Sequence, residues 1–97
     1  MNSMKYQDEF YIEDVVATGR RKIAINEVVV GDNVKLVLCL RKPVGNIDAE
    51  RLWFKVVKVN EGNILVKLDN DPLYIKSISD TSAQYVTKDN ILEVYSQ

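Results

Sequence analysis

Residues 50–76 decide the fold: Glu50-Arg51-Leu52-Trp53-Phe54-Lys55-Val56-Val57-Lys58-Val59-Asn60-Glu61-Gly62-Asn63-Ile64-Leu65-Val66-Lys67-Leu68-Asp69-Asn70-Asp71-Pro72-Leu73-Tyr74-Ile75-Lys76. Two runs rich in β-branched and aromatic residues flank Asn60-Glu61-Gly62-Asn63, the pattern of a β-hairpin. In the second run Ile64, Val66 and Leu68 face inward, and Asp69-Asn70-Asp71-Pro72 ends it. In the first, Trp53, Lys55, Val57 and Val59 share one face and Leu52, Phe54, Val56 and Lys58 the other. Apolar residues on both faces predict a strongly bent strand that serves two sides of a barrel.

Working toward the N-terminus, Arg41–Ala49 contains Lys42-Pro43 and Gly45-Asn46 and reads as a nine-residue exposed loop, a favourable place for binding. Before it, Gly31-Asp32 turns the chain into a strand over Asn33–Leu40. Val34, Leu36, Leu38 and Leu40 form its core face, opposite Lys35, Val37 and Cys39. Arg20-Arg21-Lys22 is a basic step, read first as a solvated loop. Residues 1–19 hold no clean period and read as an N-terminal arm, with a helical turn or an edge strand near Phe10–Val16. Beyond Pro72, Leu73-Tyr74-Ile75 is a short apolar run and Ser77–Ser82 a polar loop. Gln84–Thr87 is a short strand, Lys88-Asp89-Asn90 a turn of 3-10 type, and Ile91–Tyr95 the closing strand. Five or six short strands with little helix predict an all-β (or β-rich) single domain over 20–97, a small SH3-like or Tudor-like barrel with the arm attached.

Val30-Gly31-Asp32-Asn33-Val34-Lys35-Leu36, then Glu50-Arg51-Leu52-Trp53, then Leu68-Asp69-Asn70-Asp71-Pro72 resembles the YegJ-like group of small bacterial domains of unknown function. The likeness covers about residues 20–95. The sequence departs from the group where Ser79-Asp80-Thr81-Ser82 replaces a second Gly-Asp turn. The resemblance implies a fold and carries no activity to transfer.

Composition narrows the chemistry. The chain has 97 residues, no histidine and one cysteine. Imidazole-based triads and metal sites are thereby excluded, as is an intramolecular disulfide. Cys39, inside Leu36–Leu40, reads as a small buried hydrophobe. Lone cysteine usage and the lack of a recognisable signal peptide point to the cytoplasm, and no run is apolar enough for a membrane span. The net charge of −1 divides into −3 over residues 1–19, +5 over 20–58 and −3 over 59–97. The default expectation is that these blocks interleave on folding.

No phosphate-cradling glycine loop or nucleophile elbow occurs. Asp69, Asn70 and Asp71 form an oxygen-rich patch that reads as a self-capping turn ahead of a hard-cation site, so no metal or other cofactor is expected. The leading expectation is a non-enzymatic module that recognises another protein. Its candidate residues are Trp53, Asp69, Asn70, Asp71, Tyr74, Tyr85, Arg41 and Lys42. The acidic arm loosely fits an inhibitor- or immunity-type role against a basic partner. The alternative is nucleic-acid binding through Arg20, Arg21, Lys22, Arg51, Lys55 and Lys58, together with Arg41 and Lys42; a sequence pI near 5.4 weighs against it. Third is an enzyme using Asp69, Asp71 or Glu50 as general acid or base. Oligomeric state is left open.

Overall fold

A computed structural model describes residues 9–79 and 82–96. The chain is all-β: β1 (Phe10–Ile12), β2 (Asn33–Val44), β3 (Ile47–Asn60), β4 (Asn63–Leu68), β5 (Ala83–Val86) and β6 (Ile91–Tyr95), with one 3-10 turn, Lys88–Asn90, before β6. All pairings are antiparallel and run β1-β2-β3-β4-β5, with β6 also on β2. β6 lies beside the first part of β2, from Asn33↔Tyr95 to Leu36↔Ile91, while β1 lies beside the later part, Leu38–Leu40. The sheet curls into a half-barrel.

Curling follows from β3. Its first part pairs with β2 (Asn33↔Lys55 to Cys39↔Ala49) and its last with β4 (Phe54↔Leu68 to Asn60↔Asn63). One strand therefore serves both sides, and a register shift between Val56 and Lys58 sharpens its bend. The hairpin turns at Glu61-Gly62, with φ of 50° and 90°. That is the double left-handed geometry of a tight antiparallel connection.

The concave face holds the main core. Val34, Leu36, Leu38, Leu40, Leu52, Phe54, Val56, Ile64, Val66, Leu68, Val86 and Ile91 are all buried in it, together with Phe10 from β1. The alternation read from the sequence thus gives the observed inward set. On the opposite face, Val37 and Cys39 are buried as well, under Val15. The chain from Glu13 to Gly19 folds over them: Val15 N–H donates to Asp89 O, and Asp14 Oδ1 accepts from Val16 and Ala17 N–H.

One sequence expectation needs correction. Arg41–Ala49 is not a nine-residue loop. β2 continues to Val44, β3 starts at Ile47, and only Gly45-Asn46 turns between them. Ladder pairing is interrupted between Cys39 and Val44, so Pro43 occupies a stretch where its missing N–H costs no ladder bond. The short apolar run Leu73-Tyr74-Ile75 is a clasped loop. The buried Glu50 carboxylate accepts from the backbone N–H groups of Leu73, Tyr74 (3.0 Å) and Ile75 (3.1 Å). Glu9 continues the clasp, accepting from the N–H groups of Lys76 (2.9 Å) and Ser77 (2.9 Å). Where the sequence departs from the YegJ-like pattern, Ser79 and Ser82 close a turn on each other through Ser82 N–H to Ser79 O and Ser79 N–H to Ser82 Oγ; Asp80 and Thr81 lie outside the described residues.

Candidate functional site

A groove of about 560 Å³ lies between β6 and the chain segment that precedes β2. Its floor and walls include Ile23, Ala24, Ile25, Leu92 and Val94; Arg20, Lys22, Arg51, Glu27 and Glu93 give it charge. Its volume is in the range of clefts that hold ligands.

Local hydrogen bonding explains why the groove exists. Arg21 N–H donates to Val15 O, and the Arg21 guanidinium donates to Lys88 O (2.8 Å) and Ile91 O (3.2 Å). These bonds pin the segment at the start of β6. At its other end, Asp32 Oδ2 accepts from Val29 N–H and Gly31 N–H donates to Val56 O, just before Asn33 pairs with Tyr95. Between these anchors, Lys22–Val28 runs alongside β6 in the same direction. Among the described residues, no backbone hydrogen bond involves Lys22–Val28, and β6 pairs only with β2. An irregular segment without backbone hydrogen bonds and the outer edge of β6, where Arg21 occupies Ile91 O, therefore flank one groove with apolar lining. Ile23, 79% exposed, stands on its wall.

The groove's charge is polar along its length. Lys22 follows the Arg21 anchor directly. Arg51 pairs with Val37, next to Leu36, which pairs with Ile91. Both bases thus lie at the Ile91 end. Neither forms an ion pair among the described residues. Arg20 is committed to Glu13 through two contacts of 2.5 and 3.1 Å. The guanidinium beside it holds the Glu13 carboxyl below the usual carboxylate range and is itself held above its own. Glu27 lies toward the Tyr95 end, while Glu93 is bound by Lys35 Nζ at 3.3 Å.

A second, smaller cavity of about 250 Å³ separates the outer edges of β1 and β5. It brings Tyr85 and Arg41 together with Tyr11, Gln84 and Asn90; the Arg41 guanidinium stands 5.2 Å from the Tyr11 ring centre.

The remaining sequence candidates are dispersed. Trp53 is half-buried on the convex face, with Lys35 Nζ 4.9 Å from its ring centre. Tyr74 packs instead against the concave core, so Trp53 and Tyr74 occupy opposite faces of the sheet. Asn70 Oδ1 accepts from Trp53 N–H (3.0 Å), Asp69 N–H donates to Trp53 O, and Asp71 is exposed. The Asp-Asn-Asp-Pro stop therefore caps the end of the hairpin. Lys42 is exposed on the extended β2–β3 hairpin. Of the basic set, Arg51 and Lys55 share the convex face with Trp53, joined there by Lys35 and by Lys67 opposite Lys55. Lys58 lies past the bulge, opposite Leu65. Arg20 and Arg21 hold the protein's own groups.

Sequence reasoning did not single out Ile25, Glu27, Leu92 or Val94 as lining residues. The groove joins segments about 70 residues apart, and the only local sign of it was the alternation Ile23-Ala24-Ile25 after the basic step. No family model, curated protein or solved structure matches the chain.

Proposed function

We propose that this chain is a non-enzymatic recognition module of SH3-like or Tudor-like type that holds an extended segment of a partner protein in the groove beside β6. The barrel assignment is supported by the strand order: a four-stranded meander, one 3-10 turn, and a last strand returning antiparallel to the first strand of the meander. The observation that carries the functional reading is that the outer edge of β6 and the facing Lys22–Val28 backbone, neither with a strand partner there among the described residues, flank a groove with apolar lining. Adding a strand to a free sheet edge gives main-chain hydrogen bonds for affinity and side-chain pockets for selectivity.

The carboxylates considered for catalysis support a non-enzymatic role. Glu50 is committed to three backbone N–H groups, and neither it nor Asp69 or Asp71 lines either groove. Among the described residues, the arm's acids offer little to a basic partner: Glu9, Glu13 and Asp14 are engaged in internal bonds.

A photo-crosslinking residue at Ile23 or Leu92 tests the reading in cells that make the protein. The expected result is a discrete protein adduct from both positions and none from Val59, exposed at the far tip of β3. Adducts equally abundant from Val59, or none from the groove, would overturn it.

One observation favours nucleic acid as a second reading: Lys35, Arg51, Lys55 and Lys67 surround Trp53 on the convex face. Aromatic–basic surfaces bind single strands by stacking and phosphate contact. Against it, Lys35 already stands over the indole that a base would use. Retention on single-stranded DNA or RNA that does not fall between low and moderate salt would remove this reading.

A further inference from the structure

We propose that the segment taken into the groove is acidic toward its C-terminal end and lies antiparallel to β6; this rests on the protein-recognition reading above. The inference begins from direction. Lys22–Val28 enters beside Ile91, where Arg21 is anchored, and leaves beside Tyr95, where β2 begins. The two walls therefore run the same way. A single strand laid between them is antiparallel to both at once, the arrangement with the better hydrogen-bond geometry.

Charge then fixes which residues suit that strand. Antiparallel to β6, it starts near Tyr95 and finishes near Ile91. Its C-terminal half meets Lys22 and Arg51, exposed bases with no ion pair among the described residues. Its N-terminal half meets Glu27. The acids already present at the basic end do not neutralise it, because Glu13 is bound to Arg20 and Glu93 to Lys35. Side chains on one face of the strand meet Val94 and Ile25, both packed against the concave core, which calls for apolar residues at every second position, while Leu92 lies on the convex side beyond the register shift in β6. The ligand class is thus an extended peptide of alternating pattern, apolar inward, with its glutamates or aspartates in the C-terminal half.

The test uses three labelled eight-residue peptides, acetylated and amidated so that no terminal charge contributes. Each alternates valine with polar residues. One carries two glutamates in its C-terminal half and threonine elsewhere, the second is its sequence reversal, and the third replaces the glutamates with lysines. Binding is followed by fluorescence anisotropy, and placement by amide hydrogen exchange of β6. The expected result is slowed exchange along β6 and about tenfold tighter binding of the first peptide than of either other, the effect of two favourable charge contacts. The double variant Lys22→Glu, Arg51→Glu changes two exposed side chains and should reverse the preference toward the lysine peptide while its thermal unfolding stays near that of the parent.

Equal binding of the first peptide and its reversal would overturn the inference, as would an unaltered preference in the double variant. So would binding without slowed β6 exchange, or no binding by any peptide. Self-association through β6 in the absence of peptide, seen by sedimentation, would overturn it too. Groove-specific crosslinks in cells, obtained alongside any of these, would leave the protein-recognition reading standing.

Discussion

At the scale of single residues, two carboxylates do most to shape the region after β4. Glu50 satisfies three consecutive N–H groups of a loop that otherwise has no ladder to join. Removing a buried acceptor leaves those donors unmet. Glu50→Ala should cost about 2–3 kcal/mol, and Glu50→Gln, which keeps one oxygen, about half of that. Urea unfolding midpoints measure both. Glu9 holds the next two N–H groups. Burial alone would raise its carboxyl, but the Ser77 side chain, the Lys76 and Ser77 backbone and the Lys76 charge together set it below its ordinary value of 4.5. A carboxyl lowered on folding stabilises the native state fully above that ordinary value, and the contribution is lost as pH falls through the lowered one. Amide exchange at Lys76 and Ser77, corrected for its intrinsic pH dependence, should therefore gain freedom below pH about 4.5 in the parent, and Glu9→Gln should abolish that step. Cys39 illustrates how far composition reaches. Its buried reading follows from the apolar run around it, and the structure adds the cause of inertness: desolvation pushes the thiol up from its ordinary value, with a contact to Glu13 at 3.7 Å. Alkylation in the native state should be slower than in urea by more than about tenfold, because only the thiolate reacts.

At the scale of elements, what could be read from sequence was local. The β3–β4 hairpin announces itself because its turn and both alternations fall within 20 residues, and the closing order of strand, 3-10 turn and strand does so for the same reason. Arg41–Ala49 reads as a loop because Pro43 normally opposes a ladder, and the irregular register that accommodates it is set by pairing with β3, not by the residues themselves. The groove was illegible for a stronger reason. A backbone segment that pairs with nothing leaves no periodic signature, and its companion wall is a distant strand. The hairpin turn also shows where sequence and geometry are at odds. Glu61 occupies φ 50°, a region that asparagine tolerates better than glutamate. Glu61→Asn should stabilise the protein by about 0.5 kcal/mol, whereas Gly62→Ala, at φ 90°, should cost about 1 kcal/mol. Thermal melts of the two variants should move in opposite directions.

At the scale of the whole molecule, two ion pairs join the acidic, basic and acidic blocks of the chain, while Lys35, Arg51, Lys55 and Lys67 remain together on the convex face. Glu13–Arg20 joins the first to the second and Lys35–Glu93 the second to the third. Folding also ties residues 9–19 to the sheet. Phe10 is 2% exposed within the main core, Val15 seals Val37 and Cys39 from the convex side, and Asn90 Nδ2 donates to Glu13 O beside the 3-10 turn. A segment that merely lay against a finished barrel would add little to its stability and would detach before the rest. A segment that supplies a core aromatic and the lid of a second cluster must unfold with it. Phe10→Ala should therefore lower global stability by about 3–5 kcal/mol, the cost of emptying a buried aromatic site. Near-ultraviolet signals from Trp53, far from the substitution in sequence, should shift to lower denaturant together with the far-ultraviolet signal of the sheet. Loss of the arm's protection with an unchanged Trp53 transition would instead mean that the half-barrel stands without its first strand, and that the wall of the groove anchored at Arg21 through Val15 is freer than the hydrogen bonds imply.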